Sequence, residues 1–204
     1  MSPPEATGVI LAGGRSRRMG QDKLPLKVGD ATLLDRVHDA LAPRCAEVLV
    51  VGAGGYAPTG VRRVPDLRPG QGPLAGIETG LSAASHRSAF VAAGDMPFLT
   101  GKLVGCLLGL LSASVSAAVP YLGGRPHPLC AAYGREIRSA VSAALDRDVR
   151  SVREFLEGLA GVLYVEEKEL RSFGEPDLLL TNVNSPEDLA RARAVLRDVA
   201  PGRS

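Results

Sequence analysis

The sequence predicts one α/β domain over residues 1–204, built on a mostly parallel sheet with helices on both faces. Short apolar runs alternate along the chain with segments whose leucines and valines recur at helical spacing. The apolar runs lack polar alternation, which is typical of strands covered on both sides. A chain of 204 residues with 45% hydrophobic residues is large enough to bury a substantial core around such a sheet.

The elements follow from these patterns in chain order. Pro73 is predicted in the first turn of its helix, and Ser185 is predicted to cap the last helix, which begins at Pro186. Strands are predicted over 9–12, 47–52, 61–65, 89–95, 117–120, 129–133 and 162–167, and a further strand is predicted to lead into Asn182. Ligands of such sheets bind beyond the carboxyl ends of the strands, so we expect the site after Ala12, Val51, Ala93 and the strand leading into Asn182. Helices are predicted over 32–41, 72–84, from 102, over 136–145 and 151–159, and from 186.

The stretch 103–124 contains no charged residue and is long enough, on length alone, to cross a bilayer. Its serines, its glycines and Pro120 instead favour a buried helix followed by a buried strand. No signal peptide is recognisable at the N-terminus. The three cysteines, Cys45, Cys106 and Cys130, are far apart and predicted to be buried thiols. We therefore expect a soluble, cytoplasmic protein.

A glycine turn rich in cations follows the first predicted strand. Gly13 and Gly14 permit a close approach of backbone N–H groups to a ligand. The turn continues into Arg15, Arg17, Arg18 and Lys23, which could neutralise phosphates. The spacing matches neither the Walker loop nor the dinucleotide fingerprint, and an ordinary glycine turn with solvated arginines is the alternative. A net charge of only +2 and 4% aromatic residues argue against nucleic-acid binding.

Two aspartates are candidates for binding an anionic ligand. Asp95 ends a buried strand, where a Mg²⁺ ion shared with phosphates would compensate its charge, although it could also simply cap a turn. Asp66 lies in a glycine- and proline-rich loop, 65–76, that includes Gly72. This loop could close over a planar ligand, with Asp66 accepting hydrogen bonds from ribose or base; the alternative is a turn residue.

Three further polar residues lie in the second half. Asn182 and Asn184 flank one inward residue and could position a phosphate or complete the water shell of a metal, or make only local hydrogen bonds. His127 lies between two prolines after Arg125, a stiff basic loop that suits an anionic substrate, although a lone histidine is often structural.

These motifs together resemble one family. The chain contains, in order, LAGGRSRRMGQDK, GPLAG, GDMPF, RPHPL and NVNSPEDL. From Gly8 to about Leu196 it is similar to the molybdenum cofactor guanylyltransferases, within the larger group of nucleotidyltransferases that have a Rossmann-like sheet of the nucleotide-diphospho-sugar transferase type. The resemblance implies transfer of GMP from GTP to the phosphate of molybdopterin carrying molybdenum, with release of pyrophosphate. It also implies transient contacts with molybdoenzymes or other cofactor-biosynthesis proteins.

The resemblance also implies a role for each motif residue. The N-terminal half would bind the nucleotide and the C-terminal half the pterin. The implied nucleotide residues are Leu11, Ala12, Gly13 and Gly14 for guanine and ribose, Lys23, Arg17 and Arg18 for the phosphates, and Asp66 and Gly72 for the nucleoside. Asp95 would bind Mg²⁺, with Lys23, Asp95 and Arg17 as catalytic residues, and His127, Asn182 and Asn184 would lie near the pterin.

One departure and two rival functions follow from the comparison with this family. Relatives often carry an asparagine after the second strand, where this chain has Gly52, so base recognition is expected to depend on backbone contacts from the first loop. Cytidylyl relatives read LAAG instead of LAGG, which favours GTP over CTP here. A non-catalytic nucleotide-binding module is the other alternative, and the presence of both Lys23 and Asp95 argues against it.

Overall fold

The computed structural model describes residues 5–13, 23–52 and 56–199. Within them the strands are β1 (Ala6–Leu11), β2 (Lys27–Val28), β3 (Ala31–Thr32), β4 (Glu47–Val51), β5 (Arg62–Val64), β6 (Ser88–Ala93), β7 (Ala117–Leu122), β8 (Arg125–Pro126), β9 (Cys130–Gly134) and β10 (Val162–Val165). The helices are α1 (Leu33–Leu41), α2 (Pro73–Ala83), α3 (Gly101–Gly109), α4 (Arg138–Asp146), α5 (Val152–Glu157), α6 (Glu167–Leu170), α7 (Pro176–Leu179) and α8 (Pro186–Val199). Single 3-10 turns occupy Arg135–Ile137 and Arg171–Phe173.

The main sheet has the strand order β10-β7-β9-β6-β1-β4-β5, with β8 paired to β7. β1 lies in the interior and pairs in parallel with both β4 and β6. β9 is antiparallel to its neighbours β6 and β7. The short strands β2 and β3 form a separate antiparallel hairpin. Because β4, β1 and β6 run in the same direction, their carboxyl ends meet at one edge of the sheet.

Alternate side chains of the strands enter two cores on opposite faces of the sheet. On one face, Ile10 and Phe90 pack with residues of α1 and α3. On the other face, Val9 and Val91 pack with residues of α2 and α4. A mostly parallel sheet with helices on both faces is therefore confirmed.

The helix α2 packs tightly against β1. Among its residues, those from Leu74 to Leu81 are all buried. A Cβ added at Gly80 would lie 2.4 Å from a methyl carbon of Val9, so only glycine permits this approach of helix to strand. The tight packing fixes the position of α2 against the sheet, and α2 in turn supports the loop that precedes it.

A third, smaller core attaches α8 to the hairpin β2–β3. Val28, Leu33 and Val183 are each 0% exposed and pack with Leu189 and Ala192 of α8. This core determines where the segment around Val183 lies relative to the strand edge.

Most predicted elements are confirmed, including a helix and then a strand, α3 and β7, within the uncharged stretch. No helix among the described residues is long and apolar enough to span a membrane. The prediction that a strand leads into Asn182 is wrong, because that residue follows the short helix α7. The hairpin β2–β3, β8, α6 and α7 were not predicted, since two to four residues are too few to show a period.

Candidate active site

The carboxyl ends of β1, β4 and β6 carry three of the predicted segments to one place. Hydrogen bonds continue beyond the strands, from the Ala12 N–H to the Val51 carbonyl (2.8 Å) and from the Gly94 N–H to the Leu11 carbonyl (3.1 Å). These bonds fix the backbone that leads to Gly13 and to Asp95. Because the Ala12 N–H already donates to the Val51 carbonyl, it is not available as a donor for a ligand.

One wall of the site is formed where Gly52 lies against Gly13. A Cβ added at Gly52 would lie 2.8 Å from the Gly13 nitrogen, and Gly52 has a φ of +123°. Within the described part of the chain, the Gly13 N–H has no acceptor. On its other side, a Cβ at Gly13 would be 3.6 Å from Oδ2 of Asp66. We refer to Gly13, Gly52 and Asp66 as the glycine wall.

The loop that carries Asp66 is clamped by buried polar groups of α2. The hydroxyl of Thr79 accepts the Leu67 N–H (3.0 Å) and donates to the Ala75 carbonyl (2.9 Å). The Arg68 guanidinium donates to the buried carboxylate of Glu78 (2.9 Å). Leu67 and Arg68 directly follow Asp66 in the chain, so these two contacts hold the backbone of Asp66 in place.

The part of this loop that leads into α2 is also held by hydrogen bonds and by a helix cap. Gly72 has a φ of +83° and forms the N-cap of α2. The guanidinium of Arg150 donates to the side-chain oxygen of Gln71 (3.0 Å) and to the Leu145 carbonyl (2.9 Å).

Partial burial raises the pKa of Asp66 above its ordinary value of 3.8. The aspartate therefore presents a carboxylate that protonates more readily than an exposed one.

The second part of the site is an ion pair between Lys23 and Asp95, whose side chains are 16% and 11% exposed. The Lys23 ammonium donates to Oδ2 of Asp95, to the Val183 carbonyl (2.9 Å) and to Oδ1 of Asn184 (2.9 Å). The amide of Asn182 donates to the other oxygen of Asp95 (2.6 Å). We refer to Lys23, Asp95, Asn182 and Asn184 as the ionic corner.

The two asparagines are directed by the residue between them. Val183 is completely buried in the third core, and its N–H donates to the Asp95 carbonyl (2.9 Å). Asn182 is half-buried and Asn184 is exposed, so neither asparagine side chain belongs to that core. Asp188, in the first turn of α8, accepts the N–H groups of Asn184 and Ser185 (both 3.0 Å). The start of α8 thus holds the corner.

A cavity of about 920 Å³ opens beside the ionic corner. Its lining includes Asn182, Asn184, His127, Arg125 and Arg191. Burial, followed by the nearby charge of Arg125, lowers the pKa of His127 below its ordinary value of 6.5, so the ring is neutral at pH 7. The cavity is large enough for a small-molecule ligand.

The structure thus brings together Lys23, Asp95, Asn182 and Asn184 at one corner, places Gly13 against Asp66, and lines the adjoining cavity with His127. Gly14, Arg17 and Arg18 lie outside the described residues. Sequence reasoning missed Thr79, Arg68 and the Val183 carbonyl. No sequence signal identifies a carbonyl acceptor, whereas a charged residue inside an apolar helix, Glu78, could have indicated the clamp.

This arrangement can be compared with known proteins. The family model described as the MobA-like NTP transferase domain matches residues 8–162. The chain belongs to the MobA-like NTP transferase family. The match begins within β1 and runs through both the glycine wall and Asp95, so this part of the site lies inside the family domain, whereas Asn182 and Asn184 lie beyond it.

Relatives of this nucleotidyltransferase family match nearly the whole chain. A "Probable molybdenum cofactor guanylyltransferase" of Pelotomaculum thermopropionicum is 39% identical over 98% of this chain and 97% of its own. A "Molybdenum cofactor guanylyltransferase" of Desulfosudis oleivorans is 33% identical over 94% of this chain and 96% of its own. The extent of both matches includes the segment around Asn182 and Asn184.

Solved structures of nucleotidyltransferases share the fold. Molybdopterin-guanine dinucleotide biosynthesis protein A of Archaeoglobus fulgidus is 27% identical with a TM-score of 0.79, covering 94% of this chain and 99% of that one. The 2-C-methyl-D-erythritol 4-phosphate cytidylyltransferase of Thermus thermophilus is 26% identical with a TM-score of 0.70, covering 93% of this chain and 98% of that one. The expected nucleotide-diphospho-sugar transferase fold is confirmed, and the chain is a nucleotidyltransferase.

Proposed function

We propose that this nucleotidyltransferase transfers GMP from GTP to the phosphate of molybdopterin carrying molybdenum, and that pyrophosphate leaves. The observation that carries the proposal is the position of the ionic corner between two binding regions. Asp95 follows β6, which lies in the sheet between β1 and β9. The ends of β1 and its other neighbour β4 carry the glycines of the wall, and residues of β9 and its neighbour β7 line the 920 Å³ cavity. The names of the full-length relatives support this choice of substrates.

The proposed chemistry fits the residues of the corner. The attacking group is a phosphate monoester, whose second pKa of about 6 leaves it largely ionised at neutral pH. It therefore needs no general base to become a nucleophile. The reaction instead requires that two anions be aligned and their charge neutralised. Lys23 supplies one positive charge at the point where the two binding regions meet, and Arg17 and Arg18 are proposed to add charge on the triphosphate.

We propose Mg²⁺ as the cofactor, and the oxygen atoms of the corner fit it. The carboxylate of Asp95 and the amide oxygen of Asn184 lie close together at the corner, since both accept hydrogen bonds from the Lys23 ammonium. Mg²⁺ prefers such oxygen ligands and is commonly held by one or two carboxylates plus substrate phosphates. Asp95 would hold the ion, which would supply positive charge against the phosphate oxygens.

Base recognition is proposed to depend on the glycine wall. The Gly13 N–H is a donor without an acceptor among the described residues, and Asp66 places a carboxylate on the same side. Because residue 52 is a glycine, it has no side chain that could form hydrogen bonds with the base. We propose that Leu11, Ala12, Gly13 and Gly14 contact guanine and ribose through backbone groups other than the Ala12 N–H, and that Asp66 and Gly72 complete the nucleoside site.

Three further features belong to the proposal. His127, Asn182 and Asn184 are proposed to contact the pterin, because all three line the cavity beside the corner.

The reaction is proposed to occur in the cytoplasm, and the unpaired state of Cys45, Cys106 and Cys130 supports a reducing compartment. Transient contacts with proteins that use or make the cofactor are also proposed.

Two measurements test the function. Pyrophosphate release should require GTP, molybdenum-loaded molybdopterin and Mg²⁺ together, since each reactant supplies one part of the transfer. Isothermal titration in Mg²⁺ should show tighter binding of GTP than of CTP. Tighter CTP binding would reassign the chain to cytidylyl transfer, and nucleotide binding without pyrophosphate release would make it a binding module.

A further inference from the structure

A second groove, of about 810 Å³, lies between the hairpin β2–β3 and the C-terminal half of α8. Four cationic side chains line it, with one carboxylate and one leucine. They are Lys27, Arg36, Arg193, Arg197, Asp30 and Leu196. None of these residues belongs to the glycine wall, to the ionic corner or to the 920 Å³ cavity, so the groove has no part in the proposed reaction.

Two arginines of the groove are fixed by hydrogen bonds to the backbone of the hairpin. Nε of Arg36 donates to the Val28 carbonyl (2.6 Å), and Nε of Arg193 donates to the Lys27 carbonyl (2.9 Å). A Cβ at Gly29 would lie 2.8 Å from Nη2 of Arg36, so the glycine turn of the hairpin leaves room for this guanidinium. The two arginines are therefore held in defined places.

Positive charge is concentrated in this groove. Its four cations and one carboxylate give it a net charge of +3, whereas the whole chain of 204 residues carries +2. The carboxylate of Asp30 is 98% exposed and 3.5 Å from Arg36, which leaves most of the charge uncompensated. Within the described part of the chain, the ammonium of Lys27 and the guanidinium of Arg197 have no hydrogen-bond or ion-pair partner.

We propose that this groove binds an acidic segment of a partner protein, with carboxylates spaced along its length and apolar side chains between them. The cations are distributed over two walls. Lys27 belongs to the hairpin, and Arg193 and Arg197 lie one turn apart on α8, with Leu196 between them. A small anion would need donors that converge on one point, whereas a peptide satisfies charges spread along a groove.

The helix α8 separates this groove from the 920 Å³ cavity. Asp188, Arg191 and Ala192 of α8 line the cavity, and Arg193 and Arg197 line the groove. A bound partner would therefore lie against the helix whose first turn holds Asn184. The groove does not depend on the proposed function, because its residues take no part in nucleotide or metal binding.

The test uses the full-length protein and a fluorescein-labelled peptide built from repeats of Glu-Glu-Leu-Ala, with binding followed by fluorescence anisotropy at physiological ionic strength. Lys27→Glu combined with Arg197→Glu should weaken binding about tenfold, because two attractions become repulsions. Neither side chain contacts the rest of the described fold through a hydrogen bond, so the variant should remain folded by circular dichroism.

The matched control reverses two exposed cations elsewhere, Arg138→Glu with Lys168→Glu, and changes the net charge equally. This control should bind the peptide as the wild type does. Equal weakening in both variants would show that only net charge matters and would overturn the proposal, as would the absence of binding by the wild type. Displacement of the peptide by inorganic phosphate at a comparable concentration would instead assign the groove to a small anion, which also overturns it.

The groove and the active site can be tested separately. Asp95→Asn alters the ionic corner and no residue of the groove, so it should leave peptide binding unchanged. A protein that transfers no nucleotide and still binds the peptide through Lys27 and Arg197 would support the groove and contradict the proposed function. The reverse result would contradict the groove alone.

Discussion

The glycine wall and the ionic corner lie at the ends of neighbouring strands and are constructed differently. The wall is backbone held by close packing, and its loop is clamped by contacts of Thr79 and Glu78 with residues 12 and 10 positions away, and by one contact of Arg150 across 79 positions. The corner is made of polar side chains that meet from positions 72, 87 and 161 residues apart. The glycine wall therefore determines the shape of the site, and the ionic corner determines its charge.

This difference predicts different consequences of substitution. A change in the wall displaces the backbone that receives the nucleotide, so it should act mainly on nucleotide affinity. A change in the corner removes charge where negative charge accumulates in the transition state, so it should act mainly on the rate. Substitutions in each region, with matched controls, separate these two effects.

The largest effect is expected for Asp95→Asn, which keeps the shape of the side chain and removes its charge. The rate of pyrophosphate release at saturating GTP should fall roughly 10²–10³-fold, since the corner loses its one carboxylate. Asp39→Asn, on the exposed part of α1, is the control and should retain the wild-type rate. Normal turnover by Asp95→Asn would remove the corner from the mechanism.

The next effect is expected for Gly52→Ala. The added Cβ would lie 2.8 Å from the Gly13 nitrogen and would also impose a φ of +123° on alanine. Strain of this kind is worth about 1–3 kcal/mol, and displacement of Gly13 should weaken GTP binding by about tenfold, measured by isothermal titration.

Gly60→Ala is the matched control for that substitution. Gly60 also has a positive φ, +81°, but its added Cβ would meet nothing within 4 Å. It should lower the melting temperature slightly and leave GTP affinity unchanged. If both variants lost affinity equally, the contact between Gly52 and Gly13 would have no specific role.

A smaller effect is expected for Thr79→Val, which leaves the Leu67 N–H without its acceptor. The unsatisfied group should lower the free energy of unfolding by about 1–3 kcal/mol and loosen the loop of Asp66. KM for GTP should rise while kcat changes little, as measured by steady-state kinetics. Thr79→Ser keeps the hydroxyl and should restore KM; a serine variant as impaired as the valine variant would contradict the clamp.

The pKa of Asp66 predicts a pH effect on binding. Because partial burial raises this pKa, the carboxylate is protonated as the pH falls at a higher pH than an exposed aspartate, whose ordinary value is 3.8. GTP affinity should therefore decline on acidification before exposed aspartates titrate. Asp66→Asn should bind more weakly at neutral pH and lack this part of the pH profile in parallel titrations.

The smallest effect concerns the neutral ring of His127. Its pKa is lowered by burial in the folded state, so the unfolded chain binds this proton first, below about pH 6.5. Stability should be fully present above that pH and decline below it, until the folded-state pKa is passed. Denaturant unfolding of His127→Gln should show a smaller decline between pH 7 and pH 5; an unchanged slope would contradict the assignment.

Parts of this molecule could be predicted from short stretches of sequence. The apolar runs ending at Ala12, Val51 and Ala93 predicted strands of a mostly parallel sheet, and the binding of ligands beyond the carboxyl ends of such strands predicted the edge where the site lies. The pair Pro186 and Ser185 predicted the start of α8. These signals are local, because periodicity and capping involve residues within a few positions of one another.

Other parts could not be predicted in this way. The hairpin β2–β3 is too short to show a period, yet its Val28 forms the third core with Val183. Asn182 was recognised, but its position after α7 was not. The partner that a buried polar group finds depends on packing and not on its neighbours in sequence, as Thr79 illustrates.

The sequence by itself determined the class of fold, the edge of the sheet that carries the site, and the residue types available there. Only the tertiary structure decided that Lys23 pairs with Asp95, that Asn182 and Asn184 join them, and that Gly52 presses against Gly13. The reason is physical. Local patterns show which face of an element is buried, whereas contacts between residues 72 to 161 positions apart depend on how the elements pack. The third core, for example, places Val183, next to Asn184, against the hairpin.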